Sequence, residues 1–246
     1  MQVSSALLRR RCTSQLALES RAARANISSS SRNQLRHPRS ILATSSSGIA
    51  SYPRYAAQQQ LRTMSSSAPT QLRFTIPNSV LTTQKLLNFA KAASIPVVTT
   101  TQTSAKLGPT VPSLAELLPS SPHDKTRFSM FIPEVAADLP PGSDVALVGI
   151  ESHICITQTA LDLRDAGHRV YVIADGVSSC NPGEVGVALG RLRAETGITV
   201  TSSESWMYEC VGDAAHPAFK SLIGVVKGSM ADTKKVWQSL PPGSKI

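Results

Sequence analysis

Acidic residues are nearly absent from the start of this chain. Residues 1–70 contain ten arginines, no lysine and a single acid, Glu19. The 246-residue chain holds 25 basic and 16 acidic residues in all, so its net charge of +9 resides in that segment and residues 71–246 hold 15 of each sign. A neutral body excludes the clustered basic face that a nucleic-acid-binding domain needs. Long apolar runs are also missing. None approaches the ~18 residues of a transmembrane helix, and Arg9, Arg10 and Arg11 interrupt any secretory apolar core. The four cysteines, at 12, 155, 180 and 210, lack the close, even spacing of a disulfide framework or zinc site, which favours a reducing compartment. His123, His153 and His168 stand too far apart to read as metal ligands, so neither a metal nor another cofactor is expected. There is no internal repeat and no phosphate-binding loop.

What the first 70 residues do contain is serine and arginine. MQVSSALLRRRCTSQLALESRAARA can form a basic amphipathic helix, and an acid-poor, Arg- and Ser-rich opening has the features of a mitochondrial transit peptide. The alternative is a plain disordered basic tail. Residues 1–70 are therefore expected to be a disordered or cleaved leader, residues 71–230 one α/β domain, and 231–246 a tail. Met64 opens MSSSAPT, a plausible second start that would leave a short cytoplasmic form.

The domain is organised around Val145 to Ala166. Val145 to Val148 is a short apolar run of the kind that makes a buried parallel strand. Gly149 to His153 turns the chain. Ile154 to Ala166 suits a helix stopped by Gly167. Cys155 thus falls where a strand gives way to a helix N-terminus, a place where backbone N–H groups can hold a thiolate or an oxyanion; a lone cysteine is otherwise most often an inert buried residue. Around this unit the pattern predicts a strand at Gln71–Ile76, a helix from Thr82 or Thr83 to Ala93, and a strand at Ile95–Thr99. A polar loop over 103–122 carries a short helix near Leu114–Leu118. Beyond the centre come a strand from Arg169 ending at Asp175–Gly176, a helix from Pro182 to Glu195, a strand at Ile198–Thr201, and helices to Tyr208 and from Pro217 toward Val226. The alternation indicates right-handed crossovers and a parallel sheet, whose ligands bind beyond the strands' carboxyl ends. Asp175 reads as a turn-bonding residue.

GIESHICI followed by QTALDLRDAGHRVYVIADGVSS resembles the isochorismatase-like cysteine hydrolase family, in its isochorismatase domain-containing branch. VLTTQKLL, IPVVTTTQ, KLGPTVPSL, DKTRFSMF and ALGRLRAETGITVTSSE agree in the expected order, over about Val80 to Lys227. The resemblance implies a three-layer α/β fold with a mostly parallel six-stranded sheet. It also implies a Cys–Asp–Lys triad, with Cys155 as nucleophile and Lys125 as the lysine. A non-proline cis peptide is implied at Ile150–Glu151, with an oxyanion hole on the backbone N–H groups of Glu151 and Cys155. His153, Phe128 and Gln102 are possible pocket residues, a turn role for His153 and core packing for Phe128 being the alternatives. The implied partner is a small-molecule substrate, and self-association into a homo-oligomer is expected.

The triad aspartate has no match. The family carries it on a first strand lying mid-sheet between the strands matching Ile95–Thr99 and Val145–Val148, yet upstream of Leu81 the only acid is Glu19. A gap there would leave two strands with unpaired backbone groups in the core, at about 1–3 kcal/mol for each buried unsatisfied group against a whole-domain margin of about 5–15 kcal/mol. Either Gln71–Ile76 takes the place, or the domain folds poorly, or the sequence omits an encoded segment; intact motif order on both sides favours the omission. Two functional classes follow: a cysteine hydrolase of small amide-like or related substrates, in which Cys155 and Lys125 act with an Asp from an omitted encoded segment, and an inactive family member acting in binding or assembly.

Overall fold

The computed structural model describes Ser5–Arg10 as backbone and residues 76–240; residues 1–4, 11–75 and 241–246 lie outside the described residues. The chain divides into one unit of residues 1–13 and 69–246 and a second of 14–68, and the second lies wholly outside the described residues.

The described elements run in the order β1 (Ser5–Arg10), α1 (Ile76–Ala92), β2 (Val97–Gln102), α2 (Ser104–Leu107), α3 (Pro112–Ala115), β3 (His123–Lys125), α4 (Pro133–Ala137), β4 (Asp144–Ile150), a π-helical turn (Ser152–Ile156), α5 (Thr157–Asp165), β5 (Arg169–Ser178), α6 (Pro182–Ala194), β6 (Ile198–Thr201), α7 (Ser203–Val211) and α8 (Phe219–Ser239). Six strands form one sheet in the order β3-β2-β1-β4-β5-β6. β2 and β3 are parallel, as are β4, β5 and β6. This is an α/β fold with helices on both faces of the sheet.

The gap expected in mid-sheet is filled, and by an unforeseen segment. Ser5–Arg10 lies between β2 and β4 and runs antiparallel to both, from Ser5 opposite Thr100 to Leu8 opposite Val97 on one side and from Ala6 opposite Val148 to Arg10 opposite Asp144 on the other. Two parallel strands with bare inner edges must find backbone partners, and a six-residue extended segment supplies them. Residues 5–10 of the stretch read as a leader are therefore part of the sheet; the transit-peptide reading otherwise falls outside the described residues. Ile76, expected to end a strand, begins α1 instead, and 71–75 are not described. Pro77 in the first turn suits that start, and Thr83 is no cap: its hydroxyl bonds back to the Ser79 carbonyl at 2.7 Å inside the helix.

Leu86, Phe89 and Ala90, at helical spacing on α1, are fully buried with Ala146, Val148, Ile173 and Trp206 on one face of the sheet, where Phe89 meets Trp206 edge-on. Val145, Leu147, Val170 and Val172 pack on the other face against Ile156 of the π-helical turn, Ala160 and Leu163 of α5, and Leu189 and Leu192 of α6. β5 does not end at Asp175–Gly176 but continues to Ser178 through a register shift against β4. Gly176 permits this: a Cβ there would stand 2.8 Å from Val148 Cγ1. The expected tail from 231 is likewise corrected, since α8 continues to Ser239. Leu222 and Val236 are its buried residues, and Asn78 donates to the Ser239 hydroxyl at 2.6 Å. Packing of this stripe against α1 overrides weak local signals. Among the described residues no helix is long and apolar enough to cross a membrane.

Candidate active site

β4, buried along all but its last residue, delivers the chain to the carboxyl edge of the sheet. The Ile150–Glu151 peptide is cis. The chain then winds through the π-helical turn, and Cys155 lies within it, 8 % exposed, ahead of α5. Side chains hold the turn. Ser152 N–H donates to Ser179 Oγ at 3.1 Å, and Ser152 Oγ donates to the Ser178 carbonyl at 2.9 Å. Thr157 Oγ1 donates to the Ser152 carbonyl at 2.7 Å. The Thr159 hydroxyl donates to the Cys155 carbonyl at 2.6 Å and accepts from Met130 N–H at 2.8 Å, which ties the turn to the segment after β3.

Lys125 ends β3 and reaches the same point. Its Nζ donates to Gln102 Oε1 at 2.5 Å, to the Arg127 carbonyl at 2.9 Å and to the Phe128 carbonyl at 3.1 Å, and it stands 4.0 Å from Cys155 Sγ. An ammonium has three N–H donors, and these three neutral acceptors match them. Burial pushes the Lys125 pKa down, opposed by the nearby Cys155 and Asp124 charges. Gln102, opposite Lys125 in the parallel ladder, also donates from Nε2 to the Thr126 carbonyl at 2.8 Å, so it braces the loop that supplies the other two acceptors.

Asp124, next to Lys125, points to the other face of the sheet, as strand alternation requires. Its Oδ1 accepts from the Thr101 hydroxyl and from Ser104 N–H, each at 2.8 Å. The Ser104 N–H and then the Thr101 hydroxyl hold this carboxyl below its ordinary range.

The structure brings together Cys155, Lys125 and Gln102, with the Phe128 backbone. The Phe128 side chain is 53 % exposed rather than packed in the core, because its carbonyl turns inward to Lys125 and sends the ring outward. His153 Nδ1 lies 3.0 Å from Ser179 Oγ and 4.0 Å from Glu151 Oε2. Glu151 accepts from Cys180 N–H at 2.7 Å and from the Cys180 thiol at 2.9 Å. Burial and then this carboxylate raise the Cys180 pKa to about 11. Asp175 is buried and accepts from Ser203 N–H at 2.7 Å and from the Ser203 hydroxyl at 2.5 Å, with Lys85 Nζ at 4.0 Å; it joins β5 to α7 and α1. Sequence reasoning missed Ser152, Ser179 and Thr159. The one signal was the small polar run Ser178–Ser179–Cys180 at a strand end, where loops carry function. Among the described residues no group of His, Cys, Asp or Glu is arranged to hold a metal.

A cysteine on a tight turn at the carboxyl edge of an α/β sheet, beside a buried lysine, marks a site of the isochorismatase-like hydrolase class. The isochorismatase domain family matches residues 57–205. The chain belongs to that family, in its isochorismatase domain-containing branch. It is 37 % identical over 183 residues to the secreted isochorismatase effector Isc1 of Phytophthora sojae, covering 71 % of this chain and 85 % of that protein. It is 42 % identical over 153 residues to isochorismatase domain-containing protein 2 of Bos taurus, covering 61 % and 73 %. To isochorismatase domain-containing protein 1 of Salmo salar it is 40 % identical over 153 residues, which span 61 % of this chain and 54 % of that one. Among solved structures, the MAR1 ribonuclease of Caenorhabditis elegans superposes with a TM-score of 0.58 at 34 % identity, covering 69 % of this chain and 84 % of that one.

Proposed function

We propose that this chain is a cysteine hydrolase of small amide-like substrates, with Cys155 as nucleophile and Lys125 as its charge partner. The observation that carries the reading is the Lys125 Nζ to Cys155 Sγ distance of 4.0 Å, with the lysine's hydrogen bonds going to neutral acceptors. An ammonium so placed gives a thiolate its counter-ion. The sulfur attacks the carbonyl carbon, and backbone N–H groups of Glu151 and Cys155 receive the oxyanion. As the C–N bond breaks, Lys125 gives a proton to the departing nitrogen. The neutral amine then takes a proton from the water that attacks the thioester, and the sulfur leaves as thiolate. The depressed Lys125 pKa suits both transfers.

The assay is ammonia release from a panel of small primary amides by the full chain. Wild type is expected to turn over at least one, with Cys155→Ala and Lys125→Met each losing about 10²-fold or more. Full activity in Cys155→Ala would sink the reading.

Two observations favour a second reading, a family member without hydrolase activity that acts in binding or assembly. Among the described residues no carboxylate hydrogen-bonds Lys125. Thr100 Oγ1, buried on the Gln102 side of β2 beside β1, has no hydrogen-bond partner. An omitted Asp-bearing strand encoded upstream of the Arg73 codon would account for both equally, and would return the site to the hydrolase reading. Sequencing the transcript there separates the cases: an in-frame apolar strand ending in Asp restores the triad, and its absence from every transcript supports the second reading. Homo-oligomerisation completes the proposal, together with mitochondrial delivery that leaves Ser5–Arg10 uncleaved, since that segment fills the centre of the sheet. The ribonuclease name of the nematode structure is not carried over, because residues 71–246 balance 15 basic against 15 acidic residues.

A further inference from the structure

A cavity opens on the face of β2 and β3 that looks away from Lys125. Its volume is about 550 Å³, within the range of small-molecule sites, and none of Gln102, Lys125 and Cys155 lines it. Thr101 and Asp124 come from the two strands, Ser104 from α2, and Thr110 from the loop that follows; Ala115 of α3 and Leu118 supply an apolar patch. Among the described residues no lysine or arginine lines it. Asp124 is fixed in place by the Thr101 hydroxyl and the Ser104 N–H, which also hold its carboxyl below the ordinary range.

The lining selects its ligand by charge and shape. The exposed Asp124 carboxylate, with no lysine or arginine among the described lining residues and Lys125 behind it on the far face of β3, makes this mouth favour a cation over an anion. One carboxylate among hydroxyls is too few oxygens for calcium, which takes six to eight. A primary ammonium has three N–H donors for a carboxylate and hydroxyl oxygens, and the Ala115–Leu118 patch can cover a short alkyl chain. We propose that this cavity binds a small primary alkylammonium compound, its ammonium on Asp124 and its alkyl body against Ala115 and Leu118. The proposal does not depend on the hydrolase reading, since its residues lie on the opposite face of the same two strands.

The test is titration of the full chain with n-butylammonium, followed by saturation-transfer NMR, with n-butanol and butyrate as the neutral and anionic counterparts. Saturable binding of n-butylammonium is expected, at least about fivefold tighter than n-butanol, with no binding of butyrate and weakening in 0.5 M salt. Asp124→Asn and Ala115→Phe, which fills the cavity from α3, should each lose it, while Cys155→Ala keeps it. Equal affinity for n-butanol would overturn the proposal, and so would undiminished n-butylammonium binding by Ala115→Phe. If Asp124→Asn fails to fold by circular dichroism, the n-butanol comparison and Ala115→Phe decide alone.

Discussion

Cys180 is exposed and should nonetheless be a sluggish thiol. Its pKa is raised to about 11, by burial of the sulfur first and then by the hydrogen bond and charge of Glu151. At pH 7.5 a thiol of that pKa is thiolate in about 3 molecules per 10⁴, against about one in ten for an ordinary cysteine near 8.5. Glu151→Gln removes the carboxylate's charge while leaving the burial. Since burial is the larger cause, the substitution recovers at most about one of the two units, or about tenfold more thiolate. A thiolate of lower pKa is intrinsically less nucleophilic, with a Brønsted slope of about 0.4–0.5, so the net gain shrinks to about three- to fourfold. The assay is iodoacetamide alkylation of the full chain at pH 7.5, with each cysteine followed separately by peptide mass spectrometry. Cys210, which lies on α7, serves as the internal reference. Unchanged or slower labelling of Cys180 in Glu151→Gln would refute the assignment of Glu151 as its partner.

Ser179→Ala removes the acceptor of Ser152 N–H and the neighbour of His153 Nδ1 at a fully buried position, so urea denaturation should show a loss of about 1–3 kcal/mol. Leu189→Ala, in the α6 layer and fully buried, should cost about 2–5 kcal/mol in the same experiment. Lys125 has a folded pKa depressed below its ordinary 10.5, so the unfolded chain binds the extra proton between the two values and stability rises with pH across that window. Lys125→Met should lack this rise in urea midpoints taken over the pH range just below 10.5. Leu7→Pro removes a ladder N–H from a central strand, opposite Val98 and Leu147; a fall of about 3 kcal/mol is expected, and unaltered stability would show that β1 is dispensable.

Periodicity located most of the elements that fill the described sheet, because their burial is periodic. The buried run at β4, the Pro182 helix start and the Gly197 break each leave a local mark that tertiary packing does not overrule. Cys155 and Lys125 were legible only through ordered motifs. No local rule distinguishes Lys125 from a surface lysine, since its meaning depends on acceptors from Gln102, Arg127 and Phe128 in three-dimensional register. The second half of α8 was invisible for a related reason: Leu222 and Val236 are its only buried residues, four turns apart, and the intervening sequence carries glycine, serine and charge. Asp175–Gly176 was misread as a strand end because the same dipeptide that makes a turn in isolation here permits a bulge against Val148.

β1 shows most directly why the sheet and the site cannot be judged apart. In the strand order, Lys125 stands on the edge strand β3 and Cys155 follows β4, so β2 and the β1 slot lie between them. That is three strand spacings, about 14 Å of sheet. The lysine side chain, the Gln102 brace and the π-helical turn close this span to 4.0 Å. A missing central strand would let β2 and β4 close up or part by about 5 Å, more than the whole contact distance. A strand of either direction keeps the spacing, and with it the Cys155–Lys125 contact. Direction decides only which side chains face the pair. Ser5–Arg10 runs antiparallel, so it presents its N-terminal end at the site edge where a parallel strand would present its carboxyl end. The slot therefore preserves the Cys155–Lys125 contact whichever way its strand runs, and among the described residues the Thr100 hydroxyl beside it has no hydrogen-bond partner.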